Sequence, residues 1–192
     1  MTITTDTVRA AIPAIGDLAA DLAEAVAETW RRAWASSPYE SLDDAPFSGF
    51  LPQRSLLEHV NNVNVQAARL IEVAAAQYGL PVDHDRALAA AILHDVDKLQ
   101  IFRWDGRDFS IAEGTSRAEH GPMGAALALE CGVPEDIAVL VRDHSQANSP
   151  NLLPASAEAA IMLYADMTDA DLASVRYGTE PSFRRSRPVR RS

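Results

Sequence analysis

A single cysteine, Cys131, leaves the chain without an intramolecular disulfide framework, so the fold rests on packing and suits a reducing, cytoplasmic setting. Aromatic residues are scarce, 6% of 192 positions, while apolar residues as a class reach 47%, most of them Ala, Leu and Val. Small apolar side chains of this kind favour closely packed helices over a β-sandwich. No apolar run approaches the roughly 18 residues that a spanning helix needs. Residues 1–6 carry no basic stretch leading into an apolar one, so no signal peptide is expected. Positive charge is also short: Lys and Arg number 17 against 27 Asp and Glu, a net charge of −10. That balance disfavours nucleic acid and anionic membranes as partners. The exception is the segment from Arg176 to Ser192, where six arginines face one glutamate, roughly +5, so the remainder carries about −15. Residues 173–192 are expected to form a basic, solvated tail.

Helix signals fill most of what is left. Ile12, Ile15, Leu18, Leu22, Val26, Trp30 and Trp34 recur at three- and four-residue steps, which predicts one long amphipathic helix over residues 7–36, with Pro13 inside the pattern as a place where the helix proper can begin. Its stripe is expected to pack on the rest of the chain, with part of it forming a homodimer contact. Residues 37–53 hold three prolines and one glycine and read as a loop. Tyr39, Phe47 and Phe50 are large for a loop and should fold it back, as a packed connection or as a lid. Further helices are expected over 55–77, from Asp83 or Asp85 to about 99, from the Ser116/Glu119 capping box to about 132, from Pro134 to about 145, and over 157–172. A short hairpin is possible at Asp105-Gly106. With no series of strands, the chain reads as all-α. Residues 1–53 form a helix and loop packed on a core domain at 54–172.

The chemistry gathers on the histidines. His94 and Asp95 end an apolar helix in "AAAILHDVDKL". A His-Asp pair at the end of a buried helix needs a partner for its charge. Adjacent helical side chains diverge by about 100°, so the two can flank one ion or serve two neighbouring ions. His59 in "LLEHVNNV" precedes the pair and Asp166 in "MLYADMTDAD" follows it. This ordered set resembles the HD-domain superfamily of metal-dependent phosphohydrolases, over roughly residues 54–172. His120 in "EHGPMGAALA" and His144 in "VLVRDHS" resemble the two further histidines of the dinuclear members.

The resemblance implies an HD-type helical bundle holding two divalent or transition metal ions. His59, His94 and Asp166 would bind one, His120 and His144 the other, and Asp95 would bridge them. Imidazoles and carboxylates without a thiolate suit Fe or Mn, with Zn or Ni as alternatives. Lys98 lies three residues after Asp95 and would share its helical face, where it could hold a phosphate oxygen. Arg103, Arg107 and Arg117 are further candidates for phosphate contacts. Arg142 and Asp143 are read as supporting or surface residues, and His84 as a surface or capping residue.

Three functions follow from that resemblance. The first is a phosphohydrolase acting on a nucleotide or another small, anionic phosphate ester or anhydride, with Asp95 and Lys98 as catalytic residues. The motifs look most like small bacterial HD hydrolases of dinucleoside polyphosphates, from which the longer N-terminal region and "YADMTDAD" depart. The second is a mixed-valence di-iron HD oxygenase acting on a polyol or organophosphonate. The third is a non-catalytic ligand-binding module, which the complete set of six ligands disfavours.

Overall fold

Residues 87–93 are apolar on every side, and a helix of that composition needs protein all round it. The computed structural model, which describes residues 3–144, 154 and 156–180, puts this segment at the centre of a helical bundle. The helices are α1 (Thr5–Ala11), α2 (Ala20–Ala35), α3 (Leu56–Tyr78), α4 (His84–Leu93), α5 (Lys98–Ile101), α6 (Pro122–Glu130), α7 (Glu135–Asp143) and α8 (Ala157–Tyr177). Every residue of α4 from Ala87 to Leu93 is buried, enclosed by α2, α3, α7 and α8. The alanines let those neighbours approach closely. The bundle is the all-α fold the sequence implies, and no helix among the described residues is long and apolar enough to cross a membrane.

The N-terminal stripe does face the core, but not as one helix. Val8, Ile12, Ile15, Val26 and Trp30 are fully buried within this one chain. The chain runs as α1, a 3₁₀ turn at Pro13–Asp17 and then α2. Pro13 forces its predecessor out of helical geometry, and Ile12 sits at φ −123°, ψ 80°. The second break is tertiary in origin: the backbone N–H of Ala19, at the start of α2, donates to Asp85 of α4 at 3.0 Å. A homodimer contact through this segment is a proposal, which sedimentation at two concentrations would test.

Caps account for the other boundaries. Ser55 caps α3 by accepting from the N–H of Glu58, and Gly79 ends it in the left-handed region at φ +62°. Asp83 caps α4. The Ser116/Glu119 capping box starts only a 3₁₀ turn, and α6 begins later, at Pro122. Tyr177 ends α8 five residues beyond the expected limit, so the basic segment begins inside a helix. Its residues 181–192, and residues 145–153 and 155, lie outside the described residues.

Two hairpins add β-structure. Strands β1 (Pro46–Ser48) and β2 (Leu51–Ser55) pair antiparallel in the segment expected to be a loop. Strands β3 (Phe102–Trp104) and β4 (Phe109–Ile111) pair around Asp105-Gly106, with Arg103 opposite Ser110. Tyr39, Leu42, Phe47 and Leu51 are buried, which makes residues 37–53 a packed connection, with Phe50 exposed at the hairpin tip. The hairpins touch: a Cβ on Gly49 would come within 2.8 Å of the Phe109 ring.

Candidate metal centre

Helix α4 stops at Leu93, and residues 94–97 turn before α5 begins. That turn aims His94 and Asp95 into the space between α3 and α8, where His59 and Asp166 project. On the far side of Asp95, His120 precedes α6 and His144 ends α7. Two clusters result: His59, His94 and Asp166, and Asp95, His120 and His144, each with ligand atoms within 4.8 Å of one another. The structure thus brings together all six residues that the sequence singled out.

Asp95 sits between the clusters. Its Oδ2 lies 3.1 Å from His59 Nε2 and 3.3 Å from His94 Nε2. Its Oδ1 lies 3.3 Å from His120 Nε2 and 3.6 Å from His144 Nε2. One oxygen therefore serves each side, as a shared carboxylate would. Asp166 Oδ1 completes the first cluster at 3.3 Å from His59 Nε2.

The hydrogen bonds behind the rings decide what the facing nitrogens are. His94 Nδ1 stands 2.7 Å from the Ala91 carbonyl, and His144 Nδ1 stands 2.6 Å from the Val141 carbonyl. His59 Nδ1 stands 2.6 Å from Asp169, and His120 Nδ1 stands 2.8 Å from Asp97. Carbonyls and ionised carboxylates only accept, so all four Nδ1 atoms carry protons and donate. Each Nε2, once any proton of its own has left, then offers its lone pair to the interior. His59 and His94 bring these atoms to 3.1 Å, and His120 and His144 to 3.2 Å. Lone pairs facing each other and carboxylate oxygens repel unless a proton or a metal ion lies among them. Ligands about 2.1 Å from an octahedral or tetrahedral ion stand roughly 3.0–3.4 Å apart. Most of the spacings fall in that range, with His94–Asp166 at 3.9 Å and His144–Asp95 at 3.6 Å wider, and the donor set fits a metal ion in each cluster.

The electrostatics agree. Burial by itself would lower the pKa of His59, but Asp166, Asp169 and Asp95 outweigh it and raise the value to about 10. His120 is raised to about 9, with Asp95 and Asp97 overcoming burial. His144 goes down, because burial and the positive charges of His120 and His94 exceed the pull of Asp95. Burial opposes ionisation of Asp95, yet His94, Lys98, His120 and His144 hold its carboxyl well below the ordinary range. Asp166 is also lowered, by His59 and His94 against burial. The centre attracts positive charge, and a proton and a metal ion compete for the same nitrogens.

Lys98 is buried, with Nζ 2.5 Å from Asp95 Oδ2. Its ammonium lies over the Phe47 ring at 4.7 Å and near Phe102 at 5.9 Å. Phe47 also packs on His59, centroid to centroid 4.1 Å. The hairpin segments thus wall the centre with aromatic surface.

The other expected contacts fall elsewhere. Arg103 donates to the carbonyls of Leu99 and Phe102. Arg107 lies in the exposed β3–β4 turn, and Arg117 is exposed in the 3₁₀ turn. Arg142 and Asp143 pair with each other at the surface, and His84 pairs with Asp85 at 3.1 Å.

Asp97, Asp169 and Arg54 also line the centre, and no motif in the sequence marks them. Asp169 lies three residues after Asp166, on the same face of α8, and that spacing was the available signal. Arg54, buried on β2, holds Asp169 at 2.6 Å through Nη2, a tertiary pairing with no local trace.

Residues 56–171 match the family model for the HD domain. The dihydroneopterin 2',3'-cyclic phosphate phosphodiesterase of Methanocaldococcus jannaschii is 29% identical over 139 residues, covering 70% of this chain and 55% of that protein. The chain therefore spans about half the length of that relative. No solved structure matches.

Proposed function

The chain belongs to the HD-domain family, and from that premise we propose that it is a metal-dependent phosphohydrolase using two ions held by His59, His94, Asp166, Asp95, His120 and His144. The observation that carries this reading is the pair of three-residue clusters sharing Asp95, with a buried lysine on the shared carboxylate. A relative named as a cyclic phosphate phosphodiesterase supports phosphate ester chemistry and makes small cyclic phosphodiesters the first substrates to try.

Charge supports an anionic substrate. Asp95, Asp97, Asp166 and Asp169 are opposed by two fixed cations, Lys98 and Arg54. Two divalent ions would more than cancel the remaining negative charge and leave the centre cationic. Access lies beside Asp166 and His120, whose side chains are 26% and 17% exposed, whereas His59 and His94 are fully enclosed.

Bound metal ions supply Lewis-acid polarisation of a phosphoryl oxygen and make water a nucleophile near neutral pH. The protein's own groups do the rest. Asp95 keeps the two clusters in register through its two oxygens. Lys98, already at the shared carboxylate, can turn its ammonium to a phosphoryl oxygen and offset charge gathered there in the transition state. Phe47 and Phe102 shield that ammonium from water, which strengthens its pull.

The test is hydrolysis by metal-loaded protein, in air and under argon, read as phosphomonoester formed from cyclic phosphodiesters, nucleotide formed from dinucleotides and phosphate released from simple monoesters. Equal rates under both gases are expected. Turnover that requires O₂ would overturn hydrolysis in favour of the oxygenase chemistry that the same donor set can serve.

A further inference from the structure

In each cluster one imidazole is backed by a backbone carbonyl and the other by a buried carboxylate. Asp97, which is fully buried, is held unusually firmly. Its Oδ2 accepts from the N–H of Gly121 at 2.6 Å and from the N–H of Gly124 at 3.1 Å. Its Oδ1 takes the Nδ1 proton of His120 at 2.8 Å. The socket is shaped for this carboxylate. Gly121 adopts φ +94°, a conformation that side chains rarely allow. A Cβ on Gly124 would press on Val96 at 3.2 Å and on Asp97 Oδ2 at 3.4 Å.

We propose that Asp97 is a positioning residue that sets the tautomer of His120 and so decides whether the Asp95–His120–His144 cluster can hold its ion. The inference rests on the two-ion reading above. One oxygen of Asp97 is committed to two backbone donors, so only the other is left for His120. That oxygen cannot donate, and the Nδ1 proton is therefore compulsory, which frees Nε2 to ligate.

The isosteric change is then the more damaging one. In Asp97→Asn the two glycine N–H groups claim the amide oxygen, because an NH₂ cannot accept from them. The NH₂ is left facing His120 and donates to Nδ1. The proton moves to Nε2, the wrong tautomer for a ligand. Asp97→Ala imposes no tautomer, and a water can take the Nδ1 proton. Yet alanine leaves two buried N–H groups without an acceptor, so it should be the less stable variant. Asp169 differs in its partners: Arg54 Nη2 meets both of its oxygens, at 2.6 and 2.9 Å, and only Oδ2 also takes the His59 Nδ1 proton.

Zinc titration of metal-free wild type and variants, with melting temperatures, tests this. Wild type should bind two equivalents. Asp97→Ala should weaken one of the two by about 10-fold to 100-fold, the usual effect of losing an outer partner. Asp97→Asn should weaken that same ion by a larger factor while melting higher than Asp97→Ala. Should the alanine variant fail to fold, histidine-selective ¹⁵N NMR of zinc-loaded Asp97→Asn gives the answer alone. His120 should then carry its proton on Nε2, whereas wild type carries it on Nδ1. An asparagine variant that binds both ions as tightly as wild type, that equals or exceeds the alanine variant in affinity, or that keeps His120 protonated on Nδ1 overturns the proposal. A wild type that binds no zinc sinks the two-ion reading and this inference with it. Two zinc equivalents in wild type with no asparagine effect sinks only the inference.

Discussion

Replacing Lys98 by alanine separates its structural role from its catalytic one. Its Nζ sits 2.5 Å from Asp95 Oδ2, and both side chains are buried. Removing one partner of a buried ion pair costs about 3–5 kcal/mol when the other charge is left alone. In metal-free Lys98→Ala, His94, His120 and His144 still face Asp95, so the loss should fall at the lower end of that range. Metal ions bound at Asp95 would offset it, and metal should therefore raise the melting temperature of the variant by more than it raises that of wild type. Lys98 is not a ligand while protonated, so two equivalents of metal should remain. The catalytic effect appears in kcat. An ammonium that neutralises charge built up only in the transition state is worth about tenfold to a thousandfold, on the order of 1.4–4 kcal/mol. The assay is steady-state hydrolysis of a phosphodiester by wild type and variant at saturating metal. A fall in kcat with KM little changed is expected. A raised KM with kcat intact would assign Lys98 to substrate anchoring, and loss of metal would make it part of the ligand scaffold. Either result refutes the reasoning.

Protons supply another test. His59 and His120, at about 10 and about 9 before metal binds, should release protons on binding at pH 7.5. Calorimetry in two buffers of different ionisation enthalpy should show that release, and buffer-independent heats would contradict it. Both values are raised above the ordinary 6.5, so the stability they confer is full below about pH 6.5 and fades as pH climbs through 9 and 10. Metal-free protein should accordingly melt lower at pH 10 than at pH 7, by differential scanning fluorimetry. In the core, Trp30 is fully buried and its Nε1 donates to the Ile92 carbonyl at 3.1 Å. Trp30→Ala should cost about 3–5 kcal/mol in urea denaturation, and a loss below 1 kcal/mol would mean that α2 is not integral to the bundle.

The six facing side chains were legible because imidazoles and carboxylates are common ligands for transition ions, and this chain has only five histidines to distribute. The helices carrying His59 and Asp166, α3 and α8, were legible through apolar periodicity. Of the two breaks in the N-terminal stripe, the first had its signal in Pro13; the second had none, because the apolar spacing runs on through it and it depends on Asp85 reaching the Ala19 N–H from 66 residues away. The β1–β2 hairpin, with three residues in its first strand and a proline among them, is too short to show a period of two. Asp97 was hidden beside the His-Asp pair, since nothing local says that its carboxylate meets the amides of Gly121 and Gly124. Arg54 has the same problem: its partner lies 115 residues on, in α8.

Two clusters that share one carboxylate should hold two ions together and lose them together, which metal stoichiometry measures. Metal-free wild type and Asp95→Ala are titrated with manganese or zinc and assayed by elemental analysis after removal of free ion. Two equivalents in wild type and fewer than about half an equivalent in Asp95→Ala are expected, because each ion loses a ligand when a bridging carboxylate is removed. A wild type that never exceeds one equivalent, or an Asp95→Ala variant that keeps one ion tightly, would contradict the account.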